Sequence, residues 1–275
     1  MRAALNSIQI SMQSAIGLFL MLATTAAGGL AVDADSGPLP PSITTAPLSV
    51  DQVVNNLIRK DAERAQALRH YESTRVYHLS YRGFLGDRDA EMTVECTYDS
   101  PSTKIFKIIS ETGSKAIVEH AFKRLLDSER EAAEPGEHAR TLLNRDNYDF
   151  ALVGFESSDK GNQYVLAVRP KTISKYVYRG KVWVDATDFA ATRIEAEPAL
   201  NPSFWTKENK VHHEYMKVQN FWLPRRNESV SDIRGATRAV LATKSRFSSI
   251  ATGRPPEVKD MVALPSIPTS GTSCR

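Results

Sequence analysis

Cysteine is almost absent: the chain has Cys96 and Cys274 and no Cys-x-x-Cys pair, so neither a zinc site nor a redox motif organises it. A disulfide between the two would have to pin a polar tail, and one buried thiol plus one free thiol is the plainer expectation. Charge of one sign is also lacking. The formal net charge is +3 with both signs interspersed, which removes the electrostatic case for a nucleic-acid partner. Long hydrophobic runs are missing too, since the Ala15 to Leu30 stretch falls short of the ~20 apolar residues that a membrane span needs. Finally, there is no Gly-x-Ser-x-Gly elbow, His-Glu-x-x-His helix or phosphate-binding glycine loop. His212 and His213 are neighbours on an expected strand, so they point to opposite faces and cannot share a metal. Asp185, Asp188, Glu195 and Glu197 flank one hairpin, and turn or solvated-face roles account for them better than acid–base catalysis does. No metal, cofactor or enzymatic activity is therefore expected.

What is present begins with export. Met1-Arg2, the apolar run and the small residues through Ala34 read as a cleavable signal over 1–34, with no cysteine after the run to carry a lipid. Residues 35–48 are Pro/Ser/Thr-rich and read as a flexible leader. One domain is expected over 49–250, and 251–275 reads as a disordered tail.

Within the domain, Ser49-Val-Asp-Gln52 forms a capping box ahead of a helix whose apolar stripe includes Val50, Val53, Val54, Leu57 and Ile58. Tyr71 to Tyr81 turns strand-like. Met92, Val94, Cys96 and Tyr98 alternate with Glu91, Thr93, Glu95 and Thr97, which describes a sheet with one wet face. Lys104 to Ile109 reads as the next strand. A second amphipathic helix is expected over Ser114 to Ala132, with Ile117, Val118, Ala121, Phe122, Leu125 and Leu126 as its stripe, broken by Pro135-Gly136. A short helical piece covers Glu137 to Leu143. From Tyr148 onward the chain reads as a meander: 148–156, 163–169, 175–185, 189–197, 210–219, 221–233 and 237–249.

The meander carries all three tryptophans and no catalytic constellation, which points to a binding surface. Trp183 lies inside a strand, where a core role competes with ligand contact. Trp205 with Phe204 follows Asn201-Pro202-Ser203, as pocket rim or loop anchor. Trp222 lies beside Pro224, where hairpin packing is the natural role. One sheet face must be apolar, so Phe106, Ile108, Val165 and Ala167 are either cavity lining or ordinary core.

Tyr71-x-x-x-Arg75-x-Tyr77, Asn147-Tyr-Asp-Phe150, Leu166-Ala-Val-Arg-Pro170, Arg179-Gly-Lys-Val-Trp-Val-Asp185, Arg193-Ile-Glu195, Pro202-Ser-Phe-Trp205 and Phe221-Trp-Leu-Pro224 together resemble the LolA-like outer-membrane lipoprotein-sorting superfamily. The likeness is to an exported bacterial branch of unassigned role and spans 49–250. It implies an α+β fold, a strongly curved, incompletely closed antiparallel half-barrel with two or three helices plugging its concave side over an apolar cavity. It further implies a periplasmic carrier or chaperone that holds acyl chains of a lipid or lipoprotein in that cavity, for which Phe106, Ile108, Val165, Ala167, Trp183, Phe204, Trp205 and Trp222 are the candidate lining residues. Val54, Leu57, Ile58, Val118, Phe122 and Leu125 would belong to movable plug helices. A monomer with a membrane-protein donor or acceptor is expected; an RseB-like lipid sensor or a filled-barrel interaction protein are the alternatives. The basic residue that locks the lid in the best-known carriers has no matching position.

Overall fold

The computed structural model describes residues 42–43, 47–83, 86–101, 103–158, 161–174, 176–200, 206–233 and 237–253. The expected signal, most of the leader and of the tail, Cys274, Phe204 and Trp205 lie outside the described residues.

Two-residue strand β1 (Ser42–Ile43), inside the segment read as leader, pairs with Ser157 and Glu156 of β5. Helix α1 (Val50–Ala67) starts where the capping box places it. Gln52 N donates to Ser49 Oγ at 3.3 Å, and Ser49 N donates to Gln52 Oε1 at 2.9 Å, satisfying two otherwise free amides. The helix buries Val53, Val54 and Leu57 completely, each contributing about 1.5–3 kcal/mol of hydrophobic stabilisation.

Strands β2 (Leu68–Arg82), β3 (Arg88–Asp99) and β4 (Thr103–Gly113) follow as an antiparallel set. The second helical region is expected to be continuous but is interrupted. Helix α2 (Lys115–Ile117) runs into a π-helical turn (Val118–Phe122) and then α3 (Lys123–Ala133). Pro135 ends that run as expected, because a proline suits the first turn of a new helix, here α4 (Pro135–Thr141).

The meander comprises β5 (Tyr148–Ser158), β6 (Gly161–Pro170), β7 (Tyr178–Asp185), β8 (Ala191–Pro198), β9 (Thr206–Val218), β10 (Phe221–Ile233) and β11 (Thr237–Thr252). The strand expected from 175 begins only at Tyr178, and β9 begins earlier than expected, at Thr206. All strands form one antiparallel sheet in the order β1-β5-β6-β7-β8-β9-β10-β11-β2-β3-β4. The sheet does not close, so the fold is an incompletely closed α+β half-barrel.

Strands β7 and β8 approach so closely that a Cβ on Gly180 would lie 2.0 Å from the Glu195 carbonyl oxygen, which explains a glycine in mid-strand. The Asp185–Asp188 turn joins them: Asp185 Oδ1 accepts from Thr187 N at 2.9 Å and Asp188 N at 2.7 Å, and the chain re-enters the sheet through Phe189 at φ 47°. Two apolar cores lie on the concave side. In one, α1 packs on β5 to β9 through Leu57, Leu166, Val168, Val182, Val184, Ile194 and Val211. In the other, the α2–α3 run packs on β2 and β3 through Phe122, Leu125, Tyr77, Leu79, Met92 and Val94. Among the described residues no helix is long and apolar enough to cross a membrane.

Candidate functional site

Strict alternation along β2 places Tyr71, Ser73, Arg75, Tyr77, Leu79 and Tyr81 on its buried face. The helical period does the same on α3, where Glu129 follows Phe122, Leu125 and Leu126 on the apolar stripe. Packing that stripe against β2 drives two charges together away from water. Arg75 Nη1 donates to Glu129 Oε2 at 2.6 Å, with side-chain exposures of 8% and 6%. Tyr77 OH donates to Glu129 Oε1 at 2.8 Å, and Arg75 Nη2 donates to Tyr71 OH at 3.4 Å.

Between the two cores this cluster borders a cavity of about 190 Å³. Helices α3 and α4 contribute Leu125, Glu129, Ala132, Ala133, His138 and Thr141. The sheet contributes Tyr71, Arg75 and Tyr77 from β2, Tyr98 and Lys104 from β3 and β4, and His213, Tyr215, Asn227, Ser229, Leu241 and Thr243 from β9 to β11. Strands from both arms of the sheet thus face one space, which requires the sheet to curve around it. The cavity is not the apolar one that the motif resemblance implies. Aliphatic side chains (Leu125, Ala132, Ala133, Leu241) and polar ones (an ion pair, imidazoles, an amide and hydroxyls) are interspersed on both its helical and its sheet side.

The electrostatics of the polar lining residues follow from burial and charge. Burial by itself would raise the Glu129 carboxyl, but Arg75, Lys104 and the bond from Tyr77 hold it below the usual carboxylate range. Burial pushes the half-buried Lys104 ammonium down. Burial, with Lys104 adding to it, also pushes His138 down. His213 is 5% exposed, and burial lowers it to about 4. Its Nδ1 lies 2.9 Å from Asn227 Oδ1, an acceptor, so Nδ1 carries the proton and Nε2 is left as a free acceptor with no partner among the described residues.

The sequence-predicted lining residues do not converge. Phe106 packs beside the second core, with the Arg75 and Arg130 guanidinium groups 5.9 and 5.3 Å from its ring centre. Ile108, on the edge strand β4, is 40% exposed. Val165 and Trp183 are cross-strand partners whose positions alternate with Leu166, Val182 and Val184, so they occupy the face turned away from α1. There Trp183 Nε1 donates to Glu156 Oε2 at 3.0 Å, and the Arg193 guanidinium lies 3.6 Å over the indole. Ala167 is buried and belongs to the first core, away from the cavity lining. Trp222 is half-buried, and its Nε1 donates to Asp188 Oδ2 at 2.9 Å. Of the plug residues, Val54, Leu57 and Ile58 pack in the first core and Val118, Phe122 and Leu125 in the second, with Leu125 also on the cavity wall.

The candidate carboxylates are each engaged elsewhere: Asp185 caps its turn, Asp188 binds Trp222 and Lys217, Glu195 sits 3.7 Å from Arg193, and Glu197 sits 3.5 Å from Arg179. His212 pairs with Glu214 at 3.2 Å on the face opposite to His213. Among the described residues no three His, Cys, Asp or Glu side chains converge on a cation-sized site. Cys96 is a buried free thiol.

Arg75, Glu129 and His213 were missed as site residues, although each carries a readable signal. A charged or titratable residue stands at a position whose period belongs to the core. Tyr71, Arg75 and Tyr77, quoted above only as a family-like motif, prove to be cavity wall.

No protein-family model matches the chain, and no curated protein sequence matches it. Its neighbours among solved structures are DUF1329-family, lipoprotein-sorting and LolA-superfamily proteins, the group that its motifs resemble. It is similar to a DUF1329 family protein from Desulfovibrio piger, at 14% identity over 72% of this chain and 93% of that one, with a TM-score of 0.36. It is similar to an outer membrane lipoprotein-sorting protein domain from Vibrio parahaemolyticus, at 10% identity over 76% and 96%, with a TM-score of 0.36. A LolA superfamily protein from Nitrosomonas europaea aligns at 12% identity over 76% and 96%, with a TM-score of 0.30. Likeness at this level carries no weight for function, which has to come from the cavity.

Proposed function

We propose that this is an exported envelope protein that binds an amphiphile by its acyl chain inside the half-barrel and carries or chaperones it, without catalysing a reaction on it. The observation that supports this reading is the cavity of about 190 Å³ left between the α3–α4 plug and the concave sheet, lined by both aliphatic and polar side chains. A collapsed, filled barrel would leave no such space. Each methylene moved from water into an apolar site gains about 0.8 kcal/mol, so even a short chain supplies useful retention. Admission of a longer chain needs the plug to move, and the α2–α3 run has a π-helical turn at Val118–Phe122, a local irregularity of the kind that marks functional segments. The Arg75–Glu129 pair ties that run to β2 and so sets what opening costs. Delivery then requires an acceptor with greater affinity for the chain, because a ligand moves only down a difference in affinity.

The test is native mass spectrometry with lipid extraction on the protein isolated from a bacterial envelope fraction. A stoichiometric acyl-chain species is expected. A ligand-free mass that persists after challenge with lipids and lipopeptides overturns the reading in favour of a filled-barrel interaction protein.

A further inference from the structure

The charges around the cavity do not balance. Among the residues that line it, Arg75 and Lys104 are cationic and Glu129 alone is anionic. Arg75 is committed to Glu129 at 2.6 Å. Among the described residues Lys104 makes no ion pair, although it stands half-buried on the wall. The nearby His138 is pushed down by burial and by Lys104, so it adds no charge at neutral pH. Glu129, already bonded to Arg75, is the one anion that Lys104 feels, so the lining carries one surplus positive charge partly withdrawn from water, and the cavity favours an occupant that supplies one negative charge.

We propose that the ligand is a single-chain amphiphile with a monoanionic carboxylate head, its head paired with Lys104 and its chain laid against Leu125, Ala132, Ala133 and Leu241. This rests on the binding reading above and specifies the ligand class. A dianionic phosphomonoester head would leave a buried surplus of negative charge, whereas a monoanion neutralises the site, and of the monoanionic heads the carboxylate is the most compact. The volume also selects: cavities of about 150 Å³ accept a benzene-sized guest, so about 190 Å³ fits one short chain and excludes the several chains of a lipoprotein anchor while the plug is closed.

The test titrates the purified protein with decanoate, decanol and decyltrimethylammonium, each below its micellar or solubility limit, by calorimetry. A charge-assisted contact predicts that decanoate binds about tenfold or more tightly than decanol, and that the cationic amphiphile binds most weakly. Lys104→Met should bring decanoate down to the level of decanol. Lys107→Met, which alters a cation on the same strand as Lys104 but paired with the exposed Glu95 of β3, should change neither affinity. Equal affinity of the wild type for decanoate and decanol overturns the carboxylate assignment while leaving acyl-chain binding intact, as does a preference that survives Lys104→Met. Failure of all three ligands to bind, together with an empty lipid extract, overturns the binding reading itself. The head-group series on the wild type decides the matter even if a variant fails to fold.

Discussion

Acidification should weaken the fold through His213 over a window set by two numbers. The imidazole titrates at about 4 in the folded protein against 6.5 as its ordinary value, because burial disfavours the protonated ring. The folded value is depressed and the protonated form is the charged one. As the pH falls through 6.5 the unfolded chain therefore takes up a proton that the folded chain refuses, and stability declines until the pH reaches the folded value. Each pH unit in that window is worth about 1.4 kcal/mol, so the whole window amounts to about 3 kcal/mol. Glu129 works in a different range. Its folded value lies below 4.5, so its contribution is complete above that pH and is lost only as the pH falls through the lower folded value. The assay is urea unfolding followed by tryptophan fluorescence at several pH values between about 7 and 4, comparing wild type with His213→Gln. Glutamine can still donate to Asn227 Oδ1 but has no proton to gain, and contributions from His138 and the carboxylates cancel in the difference. The wild type should lose about 3 kcal/mol more than the variant across the window. Parallel pH profiles would refute the claim that a neutral, desolvated imidazole lines the cavity.

Two further outcomes follow from the packing. Arg75→Met or Glu129→Leu alone should cost about 3–5 kcal/mol by stranding a buried charge, whereas the double variant should recover most of that loss; a double-mutant cycle by chemical denaturation reads the coupling, and simple additivity would contradict a direct pair. Ser49→Ala should lower stability by about 1 kcal/mol by freeing the amide of Gln52, measured by the same unfolding experiment, and an unchanged midpoint would mean that the cap contributes nothing.

Elements held together by local chemistry were legible in the sequence. The Ser49/Gln52 box fixes the start of α1, and the alternation of Met92, Val94 and Cys96 fixes which face of β3 is wet. The choice of concave face was not legible in β6 and β7, because both of their faces are apolar: Val165 and Trp183 look as core-like in sequence as Leu166 and Val182. Period alone states that the two sets oppose each other, and only the placement of α1 decides which is inward. The cavity was illegible for a different reason. Arg75 and Glu129 meet across 54 residues of chain, and the charged end of the second helix looks solvated until the third turn of its stripe is counted through to Glu129. The π-helical turn shifts the phase of that run without any Gly or Pro to announce it.

Strand β11, the last in the described chain, lies beside β2, the first long one, with Leu241 opposite Leu79. Among the described residues it is therefore the one strand joining the β2–β4 arm to the β5–β10 arm. Folding must bring together segments separated by most of the domain, and such distant pairings are slow to form because the intervening loop has to be closed before any contact rewards it. During synthesis α1 can pack on β5 to β9 as they emerge, but the second core takes Ile233 from β10 and Ala239 and Leu241 from β11, and the cavity draws walls from both arms. The site is thus the last part of the molecule to come into being, and an unfinished chain has nothing with which to capture a ligand.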